Sequence, residues 1–171
     1  MTADAVTPVM LSLGSNIAPE KHMSQAMRAL RALGGLQDAV SSALYSSPAV
    51  GFSGPAFVNS AVRACWRGDL ASLQQALRGI EDAASRDRSA PRFSSRTLDI
   101  DVVLFGQQVC DQGSGVPRDE LLEHAFVLRP SAELAPDWVH PLTGQTLAHH
   151  WQAWRAQHDD PLIPFTAAMN G

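Results

Sequence analysis

Arg96-Thr97-Leu98-Asp99-Ile100-Asp101-Val102-Val103-Leu104-Phe105 is the stretch whose reading decides the fold. Leu98, Ile100 and Val102 alternate with Asp99 and Asp101, the period-2 pattern of a strand with one face in a core. The spacing predicts a strand over 98–105, turned at Gly106-Gln107. It also puts both carboxylates on the face opposite Leu98, Ile100 and Val102. Two adjacent acids on one face repel each other unless something positive sits between them. Magnesium bound to polyphosphate answers that need, because it takes one or two carboxylates plus phosphate oxygens. A bare Asp-x-Asp is a weak signal, more often two solvated acids on an exposed strand face. Its neighbours strengthen it: Glu81, Arg86, Arg88 and Arg96 lie just upstream.

Upstream, Leu70, Leu73, Leu77, Ile80 and Ala84 fall on one face of a helix over 70–84, with Asp69 as its N-cap. Ser85 to Ser95 is poor in apolar residues and reads as a mobile loop. Phe57 to Trp66 alternates as a strand, and Ser46 to Pro55 reads as a loop. Val40 to Tyr45 reads as another strand. Met23, Ala26, Met27, Leu30 and Leu33 mark a helix from Pro19, closed by Gly34-Gly35. Val9 to Leu13 reads as a buried first strand, ended by a turn at Gly14-Ser15-Asn16. Downstream, Gln108 to Cys110 reads as a short edge strand and Asp119 to Leu122 as a helical turn. Pro130 to Ala135 reads as a short helix, and Thr146 to His158 as the last one. The segment after Pro161 reads as a tail.

The order strand–helix–strand–strand–helix–strand is an α+β, ferredoxin-like pattern, an antiparallel sheet with both main helices on one face. The 171 residues suit one domain over 1–171, with a core of about 9–158 and a C-terminal tail of about 159–171. Hydrophobic residues make up 45% and charged residues 18%, a globular balance. The net charge of −4 argues against nucleic-acid and anionic-membrane partners. It also argues against an RNA-binding ferredoxin-like domain, as does the lack of an aromatic pair on a basic sheet face. Cys65 and Cys110 form no framework, which points to a reduced, cytoplasmic setting. Met1 to Val6 lacks a basic n-region, and no apolar run approaches a membrane span. His149 and His150 read as surface residues and His140 as structural. Gly14-Ser15-Asn16 lacks both the P-loop and the Gly-x-Gly-x-x-Gly pattern.

Taken in order, several segments resemble the 6-hydroxymethyl-7,8-dihydropterin pyrophosphokinase family. They are Leu13-Gly14-Ser15-Asn16, Tyr45-Ser46-Ser47-Pro48, Phe57-Val58-Asn59-Ser60-Ala61-Val62 and Ile80-Glu81. Arg86-Asp87-Arg88, Arg96 to Asp101, Val116-Pro117, Phe126 to Pro130 and Glu133 to Pro136 complete the set. The resemblance covers about residues 9 to 150. It implies a three-layer α-β-α fold, a monomer, and transfer of pyrophosphate from ATP to the pterin hydroxymethyl, releasing AMP. It implies two magnesium ions on Asp99 and Asp101, with Asp99 helping the hydroxyl lose its proton. Arg86 and Arg88 would close over the phosphates, Arg96 would contact phosphate, and Glu81 would lie on the nucleotide side. Asn59 would hydrogen-bond the pterin between Phe57 and Phe126, with Ser47 and Val50 lining the pocket.

The sequence departs from the family pattern at five places. Arg78 stands for a Gln, Phe93-Ser94-Ser95 for Trp-Gly-Pro, Arg118 for a His, and His124 for an Arg; a further Gln is replaced near Gly54. Arg118 and a protonated His124 can still donate to phosphate, and Phe93 can restore part of the lost stacking area. These changes leave open a second reading, a divergent paralogue, slow or non-catalytic, that binds a pterin-like ligand or a nucleotide.

Overall fold

The structure is a computed structural model that describes residues 5–48, 54–84, 97–111 and 115–165. Its elements run β1 (Val6–Ser15), α1 (Pro19–Ala32), β2 (Leu36–Ser41), β3 (Tyr45–Ser47), β4 (Phe57–Arg67), α2 (Leu70–Ala84) and β5 (Asp99–Phe105). They continue with α3 (Glu120–Glu123), α4 (Ala125–Leu134), α5 (Leu147–Gln157) and β6 (Ile163–Pro164). The sheet order is β5-β1-β4-β3-β6, and β2 also pairs with β4. Among the described residues these strands all pair antiparallel.

The expected α+β, three-layer arrangement is what forms. Leu98, Ile100 and Val102 join Val9, Leu11 and Leu13 in a core under α1 and α2. Met10, Ala61, Val103 and Leu104 form a second core on the other face, under α3, α4 and α5. Val103 and Leu104 both turn to this second core because the β1–β5 register shifts between Met10 and Leu11, the extra residue of a β-bulge. Helix α2 spans its expected residues, and Asp69 caps it as expected: its Oδ1 accepts the Ser72 N–H at 2.8 Å. Among the described residues, no helix is long and apolar enough to cross a membrane.

Five expectations need correction. Gly14 and Ser15 do not end the first strand; β1 runs through both and stays paired on each side. The second strand is not one run over 40–45. It is β2 over Leu36–Ser41 and β3 over Tyr45–Ser47. Between them the Ser42 hydroxyl accepts the Ala61 N–H at 2.9 Å, replacing a ladder bond. Helix α4 begins at Ala125 rather than Pro130, so Pro130 lies inside it. After Pro161, the described residues 162–165 are packed and paired rather than loose. Leu162 is buried, Ile163–Pro164 pair with β3, and the Phe165 N–H donates to the Leu44 carbonyl at 2.9 Å. The expected short edge strand near Cys110 reduces to one bridge, Cys110 to Val116.

Candidate active site

The antiparallel register builds one row across the sheet. Asp99 on β5 pairs with Gly14 on β1, Gly14 pairs with Asn59 on β4, and Asn59 pairs with Tyr45 on β3. Directly paired residues project to the same face. Asp99 and Asn59 therefore share a face, separated on the intervening strand by a position, Gly14, that carries no side chain. Phe57 and Asp101 lie on that face too, two residues along their own strands. The face is the one that carries α4.

Gly14 keeps the floor of this row open. A Cβ there would stand 3.1 Å from Asn59 Oδ1 and 3.8 Å from Phe57 Cδ1. Sequence reasoning placed this glycine in a turn and missed its role. The signal was present, since glycine inside a strand marks a close approach of backbone or ligand. Asn59 is 4% exposed, and its Nδ2 donates to Ser47 Oγ at 2.7 Å. That bond fixes the amide orientation and leaves Oδ1 on the Gly14 side. Phe126, near the start of α4, stacks on His124 with centroids 4.9 Å apart and an interplanar angle of 14°. Pro130 has no N–H to offer the Phe126 carbonyl, so this helix start lacks one ladder bond.

The acids lie at the edge of the sheet, because β5 ends the strand order. Asp101 is exposed and Asp99 is half-buried. Glu81 reaches from α2 to this edge and accepts the Ile100 N–H at 3.0 Å. Its carboxyl is pushed up to about 7, first by burial. The negative charges of Asp99, Asp101 and Asp82 add to this, while the Ile100 bond opposes it. Three carboxyl groups crowding one strand end are a poor arrangement unless a cation joins them.

Arg118 faces the same place. Its Nη2 lies 3.9 Å from Asp101 Oδ2, and Glu120 holds it by two bonds of 3.0 Å. Burial works to lower its pKa, but Asp101, Glu120 and Asp119 more than offset this and keep it charged. A cavity of about 190 Å³ runs along the β5 edge between Gln74, Arg78, Glu81, Ile100, Asp101 and Arg118. A larger one, about 420 Å³, lies beyond Arg118 against Cys110, Val116 and Glu120. Asp101 and Glu81 line the smaller one.

The structure therefore brings Asp99, Asp101, Glu81 and Arg118 together at one edge. It sets Asn59 and Phe57 two strands inward on β4 and Ser47 one strand further on β3, with Phe126 on α4 and His124 at the N-cap of that helix. The expectations for Val50, Arg86, Arg88, Phe93 and Arg96 lie outside the described residues. Among the described residues no group of three or more His, Cys, Asp or Glu side chains could hold a metal by itself. The donor set is two same-face carboxylates. It fits a hard cation that completes its shell with phosphate and water oxygens, and it does not fit a closed all-protein site.

A family model described as 7,8-dihydro-6-hydroxymethylpterin-pyrophosphokinase (HPPK) matches residues 10–136. A 2-amino-4-hydroxy-6-hydroxymethyldihydropteridine pyrophosphokinase of Synechocystis sp. is 32% identical over 140 residues, covering 81% of this chain and 71% of that protein. The protein of the same name in Pseudomonas aeruginosa is 37% identical over 132 residues, covering 75% of this chain and 81% of that one. Among solved structures, the Plasmodium falciparum HPPK-DHPS wild type with pterin and p-hydroxybenzoate superposes with a TM-score of 0.72 over 90% of this chain. At 11% identity that likeness shows the fold alone, and this chain spans 44% of the length of that one.

Proposed function

The chain belongs to the 7,8-dihydro-6-hydroxymethylpterin-pyrophosphokinase family, and from that premise we propose that it transfers pyrophosphate from ATP to the hydroxymethyl group of 6-hydroxymethyl-7,8-dihydropterin, a step of folate biosynthesis. One observation carries the reading: Asp99, Gly14 and Asn59 form a single cross-strand row on one face. Neighbouring strands lie about 4.8 Å apart, so the acid and the amide stand roughly 10 Å apart across a bare glycine. A flat bicyclic ring held at one end by Asn59 would span that gap and present its hydroxymethyl group to Asp99.

Asn59 supplies an oriented amide that matches the donor and acceptor edge of the pterin. Phe57 and Phe126 supply stacking area, and Ser47 fixes the amide. Val50 and Phe93 are assigned to the same pocket. At the other end, Asp99 and Asp101 would hold two magnesium ions, whose chemistry when bound is neutralisation of polyphosphate charge. Arg118, Arg86, Arg88 and Arg96 share the phosphates with His124, and Glu81 lies on the nucleotide side. The hydroxymethyl oxygen attacks the β-phosphorus, the bond from that phosphorus to the oxygen it shares with the α-phosphate breaks, and AMP leaves with that oxygen. Asp99 would accept the hydroxyl proton as the new bond forms. Exclusion of water by the stacked aromatics limits loss of pyrophosphate to hydrolysis. We propose further that the chain acts as a monomeric, cytoplasmic, single-domain enzyme.

The test is incubation with ATP, magnesium and the dihydropterin, followed by detection of AMP and the pterin diphosphate. Asp99→Ala should abolish turnover. Folded wild-type protein that makes no AMP above background would sink the proposal, and a variant with appreciable residual turnover would sink the role given to Asp99.

A further inference from the structure

Arg118 forms the wall shared by the two cavities. Its backbone is tied to the edge strand, since its N–H donates to the Val103 carbonyl at 3.0 Å. Its side chain is gripped from the other side. Nε donates to Glu120 Oε2 and Nη2 to Glu120 Oε1, both at 3.0 Å. Glu120 is the first residue of α3, so the chain changes from an extended segment to a helix between the two residues. That reversal lets residues only two apart meet fork to fork.

A bidentate pair fixes the plane of a guanidinium as well as its position. Arginine has five N–H groups. Glu120 takes two, Nη2 also points toward Asp101, and the Nη1 edge is left over. The pair is not deeply buried: the Arg118, Glu120 and Asp101 side chains are 25%, 41% and 49% exposed. An unbraced arginine at this depth would sample many rotamers, and any ligand that used it would have to order it.

We propose that Glu120 is a positioning residue, holding the Arg118 guanidinium beside Asp101 so that it meets the polyphosphate of a magnesium nucleotide already ordered. This rests on the function proposed above. Glu120 itself touches no substrate; it acts through Arg118 alone.

The experiment is calorimetric binding of a magnesium-loaded, non-hydrolysable ATP analogue to wild type, Glu120→Ala, Arg118→Ala and the double variant, with turnover assayed in parallel. Glu120→Ala should bind about 3- to 10-fold more weakly, the cost of ordering one long side chain at binding. Glu120→Gln keeps the side-chain volume and should show a smaller loss of the same kind. The double variant should match Arg118→Ala within about twofold, because the brace has nothing left to hold. A merely structural role for Glu120 would instead weaken binding in the Arg118→Ala background as well, and that result overturns the proposal. So does Glu120→Ala that binds the analogue as tightly as wild type, or more tightly. Intact coupling without turnover supports the brace and contradicts only the proposed reaction. A wild-type chain that binds no analogue overturns both.

Discussion

Replacing Gly14 by alanine adds one methyl group at the centre of the proposed two-substrate site. The new Cβ would stand 3.1 Å from Asn59 Oδ1, inside ordinary carbon–oxygen contact. Something must give by a few tenths of an ångström. Asn59 is the side chain that has to move, yet it is 4% exposed and held by Ser47 at 2.7 Å. Overpacking of this kind costs about 1–3 kcal/mol in a filled interior. The backbone offers no obstacle, since the φ of Gly14 lies outside the left-handed region. Alanine there should even recover about 0.4–1 kcal/mol through the unfolded chain. Net stability should therefore fall by about 0–2.6 kcal/mol. The pterin should suffer more directly, because the methyl group fills the floor under the ring and turns the amide that reads it. At about 1.4 kcal/mol per decade, the same strain raises the pterin KM by roughly 5- to 100-fold. Steady-state assays with each substrate varied in turn would show a raised KM for the dihydropterin and an unchanged KM for ATP. A Gly14→Ala protein with the wild-type pterin KM would refute the reasoning, because Asn59 would then not face that floor. A rise confined to ATP would refute it equally.

Other positions yield independent expectations. Ser47→Ala strands the buried Asn59 Nδ2 without its acceptor; stability should fall by about 1–3 kcal/mol in urea unfolding and the pterin KM should rise, and an unchanged KM would remove Ser47 from the pocket. Glu81 has a folded pKa of about 7 against an ordinary 4.5, so its penalty is absent below pH 4.5, grows as the pH rises, and is complete above pH 7. Glu81→Gln keeps an acceptor for the Ile100 N–H and escapes that penalty. In magnesium-free buffer it should be more stable than wild type by about 1–2 kcal/mol at pH 8, a figure discounted for partial exposure, and equal to it near pH 4; the same gap at both would contradict the assigned cause. Ending the chain after Pro161 removes the buried Leu162 and the β6 pairing. It should cost about 2–4 kcal/mol, and a midpoint unchanged in urea would show that segment to be dispensable.

What could be read from the sequence follows from how locally each feature is encoded. Helix α2 was legible because Leu70, Leu73 and Leu77 repeat at helical spacing and Asp69 caps at one remove. The two acids on β5 were legible because side-chain direction alternates strictly along a strand. The β2–β3 break was not, because it depends on the Ser42 hydroxyl bonding a backbone N–H nineteen residues away. Pro130 misled, because proline favours a helix start and here the helix runs through it, leaving the Phe126 carbonyl without its usual donor. The strand β6 spans two residues, too short for any period, and exists only because β3 offers an edge. In the site, the residue types announced themselves but their juxtaposition did not. That Asp99, Gly14 and Asn59 share a row is a fact of register across three strands, written nowhere in local sequence. The Arg118–Glu120 pair was hidden for a related reason: residues two apart meet only because α3 begins between them.

The central claim is that this site joins the two substrates so that the β-phosphorus, and not the γ-phosphorus, is attacked. The most direct measurement uses ATP labelled at the γ-phosphate in one reaction and at the α-phosphate in another, each with magnesium and the dihydropterin. The account predicts γ-label in the pterin product and α-label in AMP, with both transfers lost in Asp99→Ala. Appearance of α-label in ADP would mean transfer of a single phosphoryl group, and no labelled pterin at all would mean no transfer; either result would contradict it.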